Sequence, residues 1–276
     1  MQLRYLAKQK GGRLAHVATF TNACKGTGDA QWVMNSTLQA HDEAAEEEFS
    51  HVGLTSLLDR KHVVKLMIKS HLSSQEVAVQ RWFARHPHVN IVQGICNFEC
   101  KDNPIRWKSR LTQPQPFCNG TASATPFVVI VQEYIVRGNL RAVTEWSTEL
   151  WKSVILQLTY ACMEWYEQGF LFGDWHFGNI LLDIPQKKVH TYHAFGETFK
   201  VHTHNVSPVI TDFARSTLRP AGSLELWMLT DQLALVWDLF ANSSPFDQDL
   251  IRQIAIQMGI ARSKTELLSI IKRFRR

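Results

Sequence analysis

An aspartate and an asparagine stand five positions apart in the run Gly173-Asp174-Trp175-His176-Phe177-Gly178-Asn179, just ahead of the aliphatic stretch Ile180-Leu181-Leu182. Phosphoryl transfer uses such a pair. One carboxylate accepts or orients the attacking hydroxyl, and a nearby amide oxygen holds a magnesium ion. A second run, Val209-Ile210-Thr211-Asp212-Phe213-Ala214-Arg215, ends an apolar segment on an aspartate. A carboxylate displayed at the end of a strand suits a second magnesium ligand. The spacing therefore singles out Asp174 as a base, and Asn179 and Asp212 as metal ligands.

These residues need elements to position them. Leu150, Trp151, Val154, Ile155, Leu158, Ala161, Cys162 and Trp165 recur at helical spacing over residues 147–168, and Gly169 stops that helix. A strongly apolar helix is expected over 224–240, and amphipathic segments over 246–258 and 263–275. The first half reads differently. Strands are expected at His62–Ile68, Ile91–Phe98 and Phe127–Tyr134, and a glycine-turned pair of strands over 14–37. One helix is expected over 73–85, capped by Ser73 or Ser74 and ended by His86-Pro87. The acidic run near 40–50 and the proline-rich stretch 101–126 read as insertions. A strand-rich half followed by a helix-rich half, changing near residue 135, implies two lobes with a cleft between them.

In order and spacing the set resembles the eukaryotic protein-kinase superfamily. The run from Phe172 through Asn179 matches the H-R-D-L-x-x-x-N catalytic loop, and Asp212-Phe213-Ala214 matches Asp-Phe-Gly. His62-Val63-Val64-Lys65 resembles V-A-I-K, and His86-Pro87-His88-Val89-Asn90-Ile91-Val92 resembles H-P-N-I-V. Val131-Gln132-Glu133-Tyr134 resembles the hinge, with Gln132 at the gatekeeper position, and Asp231 resembles the buried aspartate that buttresses the catalytic loop. The loop Asp174-Trp175-His176-Phe177-Gly178-Asn179 is also similar to the D-L-H-W-G-N loop of haspin-like kinases and of kinase-like proteins of large DNA viruses. Those families insert a hairpin where residues 184–208 lie here.

The resemblance implies an α+β, bilobal protein-kinase-like fold, with a β-rich N-lobe over 1–134 and a mainly helical C-lobe over 135–276. It implies an ATP- and magnesium-dependent phosphotransferase, in the first place a serine/threonine protein kinase acting on a protein substrate. Lys65 is expected to hold the α- and β-phosphates with Glu76 as its partner; Lys69, four residues on, is the competing lysine. Gly26, Gly28 and Val33 match the glycine-rich phosphate loop except that Gln31 stands at its third glycine, so an ordinary hairpin remains the alternative there. Glu133 and Ile135 are the expected nucleotide contacts of the hinge. His176 stands where many protein kinases have lysine, and would contact the terminal phosphate or orient the loop.

Beside Ala214 in place of the glycine of Asp-Phe-Gly, two larger departures from the pattern bear on regulation and acceptor. Phe172 and Gly173 replace the usual His-Arg, which removes the anchor for an activation-loop phosphate. Only eighteen residues separate Asp212 from Asp231, and none spells Ala-Pro-Glu. The second departure keeps a small-molecule kinase of the aminoglycoside or choline type open beside the protein kinase, and a pseudokinase scaffold is the third reading.

The bulk numbers bound the rest. A net charge of +5 over 276 residues is too small to imply nucleic acid. Five scattered cysteines read as free thiols. No segment reaches transmembrane length and no apolar leader opens the chain, so an intracellular protein, in cytoplasm or nucleus, is expected. His190, His193, His202 and His204 cluster in the inserted segment. Exposed hairpin histidines are the plain reading, with a zinc site the alternative.

Overall fold

The computed structural model describes residues 39–40, 50–57, 60–100, 126–142, 147–241 and 248–275. The expected strand pair over 14–37 lies outside these residues, as do nearly all of the acidic run and all but the last residue of the proline-rich insertion. The chain forms two compact units. One comprises residues up to His88 together with Val92–Tyr134; the other comprises Val89–Ile91 together with Ile135–Arg276. A β-sheet unit with one helix followed by a mainly helical unit is the α+β arrangement that the kinase resemblance implies.

The first unit is built on β1 (Gln39–Ala40), β2 (Ser50–Leu57), β3 (Arg60–Ile68), β4 (Gly94–Cys100) and β5 (Phe127–Glu133), in the spatial order β1-β2-β3-β5-β4. Its pairs are antiparallel, and Lys65 of β3 stands opposite Val52 of β2 and Ile130 of β5. β5 is interior and buried at six consecutive positions, which is why its sequence is apolar at all of them but Gln132 rather than alternating. Helix α1 (His71–Arg85) buries Glu76, Val79, Gln80 and Phe83. Its cap is Ser70, not Ser73 or Ser74, because the helix starts at His71. Ser73 is instead the reciprocal partner: the Ser70 amide donates to Ser73 Oγ at 2.9 Å and the Ser73 amide to Ser70 Oγ at 3.3 Å.

The strand expected from Ile91 begins only at Gly94. Residues 89–91 belong to the other unit, where the Asn90 side chain donates to the Pro208 carbonyl at 2.7 Å and the Ile210 amide donates to the Asn90 carbonyl at 2.8 Å. A backbone already bonded there is not available to the sheet.

The second unit is organised around α2 (Thr148–Glu167), capped by Ser147, whose hydroxyl accepts from the Leu150 amide. α2 is buried over most of its circumference, from Trp151 to Tyr166, because α3 (Leu226–Ala241) covers one side and a hairpin another. β6 (Phe170–Leu171), β7 (Ile180–Asp183), β8 (Val189–Ala194), β9 (Glu197–His202), β10 (Ser207–Ile210) and β11 (Thr217–Leu218) complete the strands; α4 (Gln248–Gly259) and α5 (Lys264–Arg275) complete the helices. β8 and β9 form the hairpin, closed by a two-residue turn with Phe195 and Gly196 both at positive φ (55° and 74°). Tyr192 and Phe199 face inward from it, and Phe199 stacks on Tyr160 of α2 at 4.3 Å.

Of the four histidines in this segment, His193, His202 and His204 are exposed as the plain reading expects, and His190 is the exception. His190 is buried, so it is not an exposed hairpin residue. His204 falls beyond the end of β9 in a left-handed conformation (φ 47°), so it does not share a strand face with His202. Among the described residues no group of three or more His, Cys, Asp or Glu side chains is placed to hold a metal ion. Cys96 and Cys162 are buried free thiols. No described helix is long and apolar enough to cross a membrane.

Candidate active site

The sequence-selected residues form a group in each unit. In the first, Lys65 and Glu76 meet: Nζ lies 3.2 Å from Oε2, and both side chains are almost fully buried. The alternation of β3 turns Lys65 to the face covered by α1, and the helical period brings Glu76 over it. Gln80, one turn further, donates to the other Glu76 oxygen at 3.4 Å. The competing Lys69 lies beyond the end of β3 and pairs at 2.6 Å with Glu99, both exposed. Gln132 shares the Lys65 face, because Val63 and Lys65 pair with Gln132 and Ile130. Its side chain is buried, and its Nε2 has no hydrogen-bond partner among the described residues. Glu133 accepts the Gln93 amide at 2.6 Å through its carboxylate. Ile135 is buried. Gly26, Gly28 and Val33 lie outside the described residues.

In the second unit, Asp174, His176 and Asn179 sit on one short loop between β6 and β7. The loop closes through a single 3₁₀ turn, Phe177–Asn179. His176 caps that turn, its Nδ1 accepting the Gly178 amide at 3.1 Å. A ring nitrogen that accepts an N–H carries no proton, so the imidazole proton sits on Nε2, which lies 3.8 Å from Asp174 Oδ2. Asn179 is buried, and its amide nitrogen donates twice to Asp174, at 3.0 Å to the carbonyl and 3.2 Å to Oδ2. With both amide hydrogens used, the Asn179 oxygen is left as a hard donor.

Asp212 joins this group through strand pairing. β10 runs antiparallel to β7 with Ile210 opposite Ile180, and the Thr211 amide donates to the Asn179 carbonyl at 3.1 Å. The segment carrying Asp212 therefore continues alongside residues 178–179. Asp212 itself has φ 64°, a left-handed conformation that disfavours residues with a Cβ. Its neighbour Phe213 is fully buried and meets Phe170 and Phe172 edge-on, each at 6.2 Å, which holds the strained backbone in place.

Two supports were not legible beforehand. The first corrects the expectation for Asp231, which is exposed. The buttress is the next residue: the buried Gln232 amide donates to the Phe172 carbonyl at the foot of the loop. One residue along a helix is a rotation of about 100°, and the apolar pattern of α3 on either side left the inward position uncertain by that step. The second is Arg215, whose Nη1 lies 3.5 Å from Asp174 Oδ1. Gly173 makes room for it. A Cβ there would stand 1.9 Å from the Arg215 carbonyl oxygen, so only glycine allows the two backbones this close.

No protein-family model matches this sequence, and no curated protein matches it. Among solved structures it is similar to one described as WaaP in complex with acyl carrier protein. The identity is 12%, over 89% of this chain and 90% of that one, with a TM-score of 0.49.

Proposed function

We propose that the protein is an ATP- and magnesium-dependent phosphotransferase of the protein-kinase type, in the first place a serine/threonine protein kinase. The observation that carries this is the second-unit constellation. Asp174 is held through both its carbonyl and its carboxylate by Asn179, while the β7–β10 pairing sets the Asp212 segment beside Asn179. The buried Lys65–Glu76 pair supports it independently, since a buried ammonium steadied by a carboxylate is an arrangement suited to phosphate oxygens. The Gln132 amide, without a hydrogen-bond partner among the described residues, supports a polar ligand on the same sheet face.

The roles follow from the side chains. Lys65, steadied by Glu76, would hold phosphate oxygens of ATP. Asn179 Oδ1 and an Asp212 carboxylate oxygen are the hard oxygen donors that magnesium prefers, and they would hold it with the phosphates completing its shell. When bound, magnesium neutralises charge on the phosphates. Asp174 accepts the proton of the acceptor hydroxyl as that oxygen bonds to the terminal phosphorus. The bond from phosphorus to the bridging oxygen breaks and ADP leaves. His176, with Nδ1 committed to Gly178, orients the loop. Glu133 and Ile135 would contact the base, with Gly26, Gly28 and Val33 the candidates for a phosphate loop. Dependence on ATP would place the protein in cytoplasm or nucleus. The β8–β9 hairpin between the catalytic loop and Asp212 supports the narrower likeness to haspin-like and large-DNA-virus kinases.

One observation favours a small-molecule acceptor as the second reading. Seven residues separate β11 from α3, which leaves little chain for a peptide-docking segment. Labelled ATP with magnesium, offered a mixed protein extract and a metabolite panel in parallel, separates the two. Asp174→Asn should abolish transfer while Mg-ATP still raises the melting temperature. At one hundred times its Kd that ligand is worth about 2.7 kcal/mol. Unchanged turnover in Asp174→Asn removes the assigned base, and the absence of any Mg-ATP shift in the parent removes the enzyme in favour of a scaffold.

A further inference from the structure

Arg215 is a strong cation placed against the candidate base and left mostly in solvent. Its side chain is 67% exposed, and Asp174 is its hydrogen-bond partner among the described residues, at the long distance of 3.5 Å. A guanidinium carries five donors, so most of its hydrogen-bonding capacity faces outward. The placement is built into the loop, because the side-chain-free Gly173 admits the Arg215 backbone and the Ser216 amide closes a turn onto the Phe213 carbonyl at 3.1 Å. The buried Phe213 anchors the other end of that turn.

Asp174 Oδ2 is taken by Asn179 and faced by His176, so Oδ1, the oxygen Arg215 approaches, is the one with room for an incoming hydroxyl. An acceptor reaching Oδ1 must bring its neighbouring groups alongside the guanidinium. A phosphate or carboxylate there gains a planar, two-pronged partner and draws Arg215 away from the oxygen the hydroxyl needs. A cationic group meets repulsion.

We propose that Arg215 is the specificity residue of this site and reads a negative charge close to the hydroxyl being phosphorylated, so that the acceptor is an anionic molecule. This rests on the reading of Asp174 as the base. The shared chemistry is an anion beside a hydroxyl, and a peptide or a phosphorylated small molecule could each supply it.

The test has three arms. The first measures kcat/KM on serine- and threonine-centred peptide pools that differ only in fixed neighbours: phosphoserine or glutamate, glutamine, or lysine. The second compares sugars with their monophosphates. The parent should favour the anionic members by about tenfold to a hundredfold, the worth of one charge-assisted contact. Arg215→Lys should keep that order and Arg215→Glu should reverse it towards lysine. Transfer without preference for anions, or an order unmoved by Arg215→Glu, overturns the proposal. The third arm needs no turnover: O-phosphoserine is titrated while the Arg215 side-chain Nε–H resonance is followed, with Arg215→Ala identifying the signal. A saturable shift with no transfer to any acceptor would keep the anion site and remove the kinase reading, whereas no shift overturns the anion site by itself.

Discussion

Gly173→Ala is the sharpest small perturbation the structure offers. The added methyl carbon would lie 1.9 Å from the Arg215 carbonyl oxygen, 2.7 Å from its carbonyl carbon and 3.4 Å from the Ser216 nitrogen. The first two contacts are with backbone, so no side-chain rotation relieves them. Ordinary contact begins near 3.4 Å, and the 215–216 segment must retreat by about 1.5 Å. Overpacking of this kind costs about 1–3 kcal/mol. For a chain of this size a 2 kcal/mol loss corresponds to a fall in Tm of about 4–8 °C. The displaced segment also carries Arg215 and follows Asp212, so a misplacement of about 1 Å should reduce turnover by roughly a hundredfold. Differential scanning fluorimetry and an ATP-transfer assay on the same preparation measure both. A variant that melts with the parent and turns over at the parental rate would refute the close approach and, with it, the account of why glycine occupies this position.

Glu76→Ala should destabilise the protein by about 3–5 kcal/mol in a denaturant melt, because it removes the carboxylate paired with the buried Lys65 ammonium, whereas the double change Lys65→Met with Glu76→Leu should recover most of that loss yet bind no Mg-ATP. Asp212→Gly should relieve the left-handed strain at φ 64° and leave Tm equal to or slightly above the parent, while magnesium-dependent nucleotide binding, read by calorimetry, is lost. Tyr192→Phe removes the hydroxyl that donates to Asn90 at 2.9 Å and should cost about 1–2 kcal/mol by chemical denaturation. Burial, reinforced by Glu164, pushes the Tyr192 hydroxyl well above its ordinary value of 10.0. The folded state therefore holds that proton more tightly than the unfolded one. Its stabilising contribution is intact below pH about 10 and declines above it, and a stability–pH profile of Tyr192→Phe should lack that alkaline component.

What the sequence revealed were features whose signal is local. Lys65 is marked by the β-branched run around it, Asp174 and Asn179 by fixed spacing on one loop, and the helices by apolar period. The misses share a different cause. Ile91 looks like strand by composition, but Asn90 commits that backbone to Pro208 and Ile210, more than a hundred residues away. Asp231 against Gln232 is a question of helix phase, and the answer depends on where the Phe172 carbonyl stands. Ser70 lost to Ser73 and Ser74 because three serines in five residues all satisfy a cap rule, and only the helix start selects among them.

Gly173 and Arg215 show the same limit in a form that changes the chemistry. Read along the chain, Gly173 is a missing arginine and Arg215 an unremarkable residue after Asp-Phe-Ala. In space they are one feature. The position next to Asp174 gives up its side chain, and the vacated volume is filled by backbone from residue 215, which brings a guanidinium to the same carboxylate from another segment. A side chain of any kind at 173 is excluded, because its Cβ collides with the backbone carbonyl of residue 215. What looks like a weakened loop in one dimension is a loop whose cation arrives on the turn that follows Asp212, with most of its guanidinium in solvent.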